Sequence, residues 1–466
     1  MFNLKRLARL LCLLMFTVLF TLAVAPLYVN AAATSAEGVV SSSVDVQVDH
    51  VIEIRDGGIV IVNDTIRLST TPDQKTEPIS SFLVGFPLEY GFNLDYVMAY
   101  EEPSKAKLDV NSNVESGKIG YYAVNVAFRE PMNISGGKSY NFTTIFVFSD
   151  LAYVSATVTS PETEEVSVIE YTLNFPMYPS LPQKASVCNV TVLLPLETRY
   201  LGTSVAEDGV SFNATTSASH QILTYTRGPL EEFAYKPSRL RFEMDRDVAI
   251  HLIETSEVRR EITLNEWGRI LSSDAYEITS RLDVPISSVR VPLPPDASEI
   301  SAMDELGPLS VEKTGESLTT YTITLQDARR PALSKGEARK FSVAYSLPRE
   351  NYVKLSGWRD FRLISSVERF NWTVRRLIVS VALPEGADFR TFSVNPHGMQ
   401  RNVLKETITY EFQNVTPLHS IHFDLTFEYT ILWTSYHPTL WVGTAVMIAS
   451  LVALVLRVPS PAVPPP

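Results

Sequence analysis

The chain has 466 residues, 45% of them hydrophobic and 20% charged, with 29 Pro, 20 Gly and a formal net charge of −12. That balance excludes a disordered chain and a protein built mostly of membrane spans. The acidity excludes a basic nucleic-acid surface, because phosphate binding needs clustered cations. The length allows two or three domains, each large enough to bury a core. Of the two cysteines, Cys12 lies in an apolar leader and Cys188 further on. One remaining thiol provides neither a disulfide-stapled scaffold nor a four-ligand zinc knuckle.

Residues 1–33 begin with Lys5, Arg6 and Arg9, continue as an apolar run from Leu10 to Val29, and end in Ala31, Ala32 and Ala33. The order basic, apolar, small is that of a secretory signal peptide; an uncleaved anchor is the alternative. Removing the three leader cations, with no acid among these residues, takes the net charge from −12 to −15.

From Ser41 to Tyr429 the dominant period is two. Val44, Val46, Val48, Ile52 and Ile54 alternate with polar residues, as do Tyr122–Phe128 and Phe423–Tyr429. This is the pattern of half-buried strands, and Pro and Gly interrupt it at short intervals. It predicts an all-β ectodomain of sandwich-like architecture.

Four segments recur in one order. Gly58-Ile59-Val60 with Asp64 and Ile66 matches Gly268-Arg269-Ile270 with Asp274 and Tyr276. Ile79–Val84 ending at Pro87 matches Ile286–Val291 ending at Pro294. Pro131, Ile134, Ser135 and Gly136 match Pro331, Leu333, Ser334 and Gly336, and Val190–Pro195 matches Val379–Pro384. The repetition predicts two tandem related β-sandwich-like domains, 34–230 and 248–432. Gly228-Pro229 and Lys236-Pro237 supply turn chemistry near a linker at 231–247.

The uncharged apolar run Pro438–Leu456 would span roughly 28 Å as a helix, close to the hydrocarbon thickness. Trp433, Tyr436 and Trp441 stand at its upstream end as an aromatic belt, and Arg457 follows directly,. The segment 433–457 therefore reads as one transmembrane helix with its interfacial belt, in a type I arrangement. The nine residues 458–466 are a Pro-rich cytoplasmic stub that cannot be helical. Gly443, Ala445, Ala449, Ser450 and Ala453 would let a partner helix approach closely, and a plain lipid-facing anchor is the alternative.

No catalytic set stands out: there is no H-E-x-x-H and no G-x-S-x-G. Gly136-Gly137-Lys138-Ser139 ends like a phosphate loop, but Met132 stands where the first glycine belongs and no helix follows, so a hairpin turn is expected. His419 and His422, three apart in a predicted strand, would face opposite sides. His422 and Asp424 share a face as ordinary solvated polar residues. Glu101-Glu102 and Glu164-Glu165 read as solvated loops and not as a calcium site. No catalytic residue, metal ligand or cofactor site is assigned, and the chain is read as a non-enzyme.

One signal is enriched. N-x-S/T acceptors occur at Asn63, Asn133, Asn141, Asn189, Asn213, Asn371 and Asn414 among eighteen asparagines, where chance would give about three. That fits a surface exposed to a glycosylating compartment.

Several ordered segments resemble ribophorin I, a non-catalytic subunit of the eukaryotic oligosaccharyltransferase. They are Glu257–Ile262 leading to Trp267-Gly268, Tyr345–Pro348 with Tyr352 beyond, Val381–Ala387, Phe423–Tyr429 entering the final span, and Phe175–Pro179 followed by Val190–Val192 in the first copy. The order holds from about Val44 to Leu456. The sequence departs from the family after the span, where the family's charged helical cytoplasmic region is replaced by the Pro-rich stub.

The resemblance implies a single-pass subunit without catalytic residues, lumenal in the endoplasmic reticulum or outside the cell if prokaryotic. It also implies a polytopic catalytic subunit and acceptor polypeptides as partners. A cell-surface binding or structural β-sandwich glycoprotein is the alternative. A hydrolase assembled from distant residues is a third reading, which a deep cleft with converging carboxylates or histidines would favour.

Overall fold

The computed structural model describes residues 44–159, 166–205, 211–217, 219–265, 269–314, 319–367, 369–402, 404–430, 433 and 435–457. The expected signal peptide, the Pro-rich stub, Cys12, Glu164, Glu165, Trp267 and Gly268 lie outside these residues. The chain is mostly β, arranged as two tandem sheet-rich halves.

The first half contains β1 (Asp45–Ile54), β2 (Val60–Ser69), β3 (Ile79–Pro87), β4 (Leu94–Glu102), β5 (Lys107–Val114), β6 (Tyr121–Met132), β7 (Ser139–Phe148), β8 (Ala152–Thr159), β9 (Val166–Pro176), β10 (Val187–Pro195), β11 (Thr198–Val205), β12 (Asn213–Thr216), β13 (His220–Arg227) and β14 (Pro237–Asp245). The second contains β15 (Ile253–Leu264), β16 (Ile270–Ser280), β17 (Ser288–Pro292), β18 (Ser298–Asp304), β19 (Gly307–Lys313), β20 (Thr320–Thr324), β21 (Ala338–Leu347), β22 (Val353–Leu355), β23 (Asp360–Val367), β24 (Val374–Ala382), β25 (Asp388–Phe392), β26 (Gly398–Asn402), β27 (Lys405–Val415) and β28 (Ile421–Glu428).

The two halves have one topology. The large sheet of the first half runs β12-β13-β10-β1-β2-β7-β4-β5-β6-β3, and that of the second runs β26-β27-β24-β15-β16-β21-β18-β19-β20-β17. The smaller sheets run β11-β14-β9-β8 and β25-β28-β23-β22. Adding fourteen to every strand number converts the first half into the second. Even the parallel pairing of β1 with β10 recurs, as β15 with β24. The recurring sequence segments fall on equivalent places: the start of β2 and β16, the strands β3 and β17, the β6–β7 and β20–β21 turns, and β10 and β24. Gly136 and Gly336, at φ +75° and +73°, occupy equivalent turns, where a left-handed backbone favours glycine.

The division between the halves differs from the expected linker at 231–247. β14 lies inside that range and belongs to the first half, pairing along its length with β9. Its alternation of buried Leu240, Phe242 and Met244 with exposed Arg239 and Arg241 is itself a strand signal,. The connection is therefore Arg246–Leu252.

The inward rows of the central strands form the core. On β1, Val46, Val48, His50, Ile52 and Ile54 are buried; on β15, Val258, Arg260, Ile262 and Leu264 are. The layers meet through rings such as Tyr410 of β27 and Phe423 of β28, 4.9 Å between centroids. The halves also meet each other. Thr373 donates to Asp95 at 2.9 Å, and the Tyr171 hydroxyl donates to the carbonyl of Ile250 in the connection at 2.7 Å. The Tyr96 and His419 rings lie 4.0 Å apart.

Besides two short 3-10 turns, three α-helices are described: α1 (Leu88–Gly91), α2 (Arg349–Tyr352) and α3 (Tyr436–Arg457). The last covers most of the expected transmembrane segment, and its side chains from Thr439 to Leu454 are exposed. Among the described residues, no helix is long and apolar enough to cross a membrane.

Candidate functional site

The most conspicuous polar groups in the core are two carboxylates at equivalent positions. Asp64 on β2 stands opposite His50 on β1, and Asp274 on β16 stands opposite Arg260 on β15. His50 Nδ1 meets Asp64 Oδ1, and its Nε2 donates to the Pro176 carbonyl at 3.1 Å. Arg260 forks onto Asp274, which also receives the Tyr345 hydroxyl at 3.3 Å. The sequence repeat marks the two carboxylates as equivalent but not their partners His50 and Arg260. Their signal is an ionisable residue inside an inward-facing apolar row, at Val48-x-His50-x-Ile52 and Val258-x-Arg260-x-Ile262.

A histidine oriented by a carboxylate invites comparison with a catalytic base, but a base needs its second nitrogen free for a nucleophile. That nitrogen of His50 is held by a main-chain carbonyl of β9, and the ring is buried. Cys188, nearby on β10, is buried as well, and burial pushes its thiol far above the ordinary range. An inert thiol follows.

Other hydroxyl–histidine contacts join near neighbours in the chain: Ser219 with His220 at 2.8 Å, Thr416 with His419 at 2.9 Å and Ser420 with His422 at 2.6 Å. Each joins residues one to three apart. In none of them, among the described residues, does a carboxylate hold the second ring nitrogen. His419 precedes β28 and does not lie within it, contrary to the expected pairing of His419 and His422 on one strand. Thr416 and His419 close a turn there. Asp424 pairs with Arg362, not with His422. Glu101 and Glu102 end β4 and do not form a loop, and Glu102 accepts from Thr143 at 3.2 Å.

Two concave surfaces carry ion pairs. A groove of about 520 Å³ on the second large sheet carries the pairs Arg259–Glu257 and Lys340–Glu277. A cleft of about 330 Å³ at the junction of the halves is lined by Asp95, Asp150, Glu254, Arg281, Arg375 and Thr373, among others. Asp150 is paired with Arg281, and Glu254 with Arg375. Burial raises the Asp95 carboxyl, opposed by hydrogen bonds from Thr373 and Ser149 and by the charge of Arg375. Among the described residues no group of three or more His, Cys, Asp or Glu side chains is placed to hold a metal ion.

The seven sequons separate by exposure. Asn133, Asn189, Asn213 and Asn414 are exposed, whereas Asn63, Asn141 and Asn371 are half-buried. Asn63 and Asn141 lie inside β2 and β7, with side-chain oxygens out of contact with solvent. Asn189 donates to Asp49 at 2.8 Å. On α3, Gly443, Ala445, Ala449, Ser450 and Ala453 are all exposed. Ala445, Ala449 and Ala453 repeat every four residues and so form one stripe. The Thr444 hydroxyl on this helix donates to the Leu440 carbonyl at 2.8 Å.

No family model matches the chain, and no curated protein matches it. Among solved structures it is similar to the M1 zinc metallopeptidase of Deinococcus radiodurans, at 15% identity over 48% of this chain and 48% of that one, with a TM-score of 0.24. It is also similar to native yeast LTA4 hydrolase, at 7% identity over 47% of this chain and 31% of that one, with a TM-score of 0.24. The chain spans less than half the length of both proteins. At such TM-scores the likeness carries no argument about activity.

Proposed function

We propose that the chain is a single-pass membrane subunit of ribophorin I type, supporting protein N-glycosylation without carrying the chemistry. The observation that carries this reading is the ordered set of segments resembling that family, of which several converge on one end of the second half. Tyr345–Pro348 closes β21, Val381–Ala387 leaves β24, and Phe423–Tyr429 forms β28 and leads to α3. The paired charges of the clefts and the capped second nitrogen of His50 fit a chain whose catalytic partner is another subunit.

The mechanism is positional. A lumenal surface that holds acceptor polypeptide beside a polytopic catalytic subunit raises the local concentration of acceptor segments there. The anchor is read from the sequence, as the uncharged apolar run Pro438–Leu456 within α3, with the Ala445, Ala449 and Ala453 stripe as the contact for a partner helix,. The exposed sequons fit an ectodomain in the glycosylating compartment itself.

Purification from native membranes in mild detergent, followed by mass spectrometry, tests the proposal. A polytopic oligosaccharyltransferase catalytic subunit at near-equal amount supports it. Elution of the chain alone, with that subunit found in intact complexes elsewhere, overturns it in favour of a cell-surface β-sandwich glycoprotein.

A further inference from the structure

The end of the second half that bears α3 carries the most exposed tryptophan described. β22 and β23 form a hairpin whose tip, Ser356–Arg359, is closed by the Ser356 amide donating to the Asp360 carbonyl at 2.8 Å. Trp358 at this tip is 85% exposed and Leu355 66%. Side chains so uncovered contribute little packing within the chain.

The position of this tip identifies the contact. Asp360 pairs with Glu428, the last residue of β28, and the Tyr429 amide donates to the Arg359 carbonyl at 2.9 Å. The hairpin is thus bonded to the segment through which the chain passes from ectodomain to apolar helix. Trp433, in that passage, packs on Gly386, where a Cβ would lie 2.0 Å from the indole. Gly386 in turn donates its amide to the carbonyl of Leu404, whose side chain is 41% exposed, at 2.8 Å. The hairpin bearing Leu355 and Trp358 is thus bonded to the segment that leads to α3, and farther along it Trp433 packs on Gly386 and lies 5.4 Å from the Tyr436 ring. Tryptophan and tyrosine favour the headgroup level of a bilayer, where an apolar ring and a polar N–H or O–H are both satisfied.

We infer that the β22–β23 hairpin is a second membrane contact, with Leu355 and Trp358 seated in the leaflet on the ectodomain side. The inference rests on the reading of α3 as a membrane span. Two contacts, one spanning and one interfacial, fix the orientation of the second half on the bilayer, which a single helix does not. The surface offered to an acceptor polypeptide is thereby held at a constant height.

The test uses the full chain in phosphatidylcholine nanodiscs containing lipids spin-labelled either near the headgroup or deep in the acyl chain. Tryptophan emission is compared between the native chain, Trp358→Phe and Trp441→Phe, with unchanged thermal unfolding showing that each variant is folded. The expected result is a Trp358 component, found by difference, that is quenched by the shallow label and blue-shifted relative to water. A Trp358 component insensitive to both labels, beside a quenched Trp441 component, overturns the hairpin contact and leaves the span standing. If the Trp441 component is insensitive as well, the span fails and this inference falls with it.

Discussion

Arg260 forks onto Asp274 in the core of the second half, through hydrogen bonds of 2.7 and 2.6 Å, at the place where the first half sets His50 against Asp64. In both halves the acid lies fourteen residues after the base, across the hairpin that starts the half. The topology has kept a buried acid–base pair at one position while the base has changed. A buried pair of this kind adds little net stability over an apolar pair, but removing one partner leaves an uncompensated charge in the core.

Arg260→Leu or Asp274→Leu alone should therefore destabilise the second half by about 3–5 kcal/mol. The double variant should recover most of that loss. Urea unfolding followed by hydrogen exchange in β15 and β16 measures it. Equal loss in the double variant would show that the pair is a net source of stability.

The two bases are not interchangeable. The side chain of His50 ends against the Pro176 carbonyl at 3.1 Å, so the longer guanidinium of His50→Arg must displace β9. Overpacking of this size costs about 1–3 kcal/mol. A reduced unfolding midpoint for His50→Arg is expected, and an unchanged one would mean that β9 yields freely.

Gly57 has φ +80°, and a Cβ there would lie 2.6 Å from the Cβ of Trp372 in the other half. Gly117 has φ +72° but faces open space. Gly117→Ala should show only the left-handed penalty of about 1–2 kcal/mol. Gly57→Ala should add separation of the halves, read as faster proteolysis within Arg246–Leu252. Equal cleavage in the two variants would deny Gly57 a role at the junction.

Because the Asp95 carboxyl is raised in the folded chain, mainly by burial, the folded state binds its proton more tightly than the unfolded one. This contribution is fully present below the unfolded value and is lost as pH rises through the folded one. Asp95→Asn keeps an acceptor for Thr373 and removes that slope. Its stability relative to the native chain should rise from acid towards neutral pH in parallel thermal melts. The opposite trend would mean that Arg375 outweighs burial.

Among the sequons, glycan is expected at the exposed Asn133, Asn189, Asn213 and Asn414. Asn63 and Asn141 are half-buried inside the paired strands β2 and β7, so lower occupancy is expected there. Peptide mapping before and after deglycosylation checks the distribution. Full occupancy at Asn63 in the folded protein would contradict the packing of β2.

Much of the architecture was legible because strand alternation and turn glycines are local properties. The rows Val46–Ile54 and Val258–Leu264 declare their faces through period two alone, and the duplication followed from four short segments repeated in order. The sequence by itself therefore determined the β class, the two copies and the apolar segment after Tyr429. Tertiary structure decided what depends on residues far apart in the chain. It assigned β14 to the first half through pairing with β9, capped His50 with a carbonyl 126 residues away, and bonded the hairpin that carries Trp358 to Tyr429, on the way to α3. No local period encodes a partner across a sheet, because strand order is set by which apolar faces must be covered together.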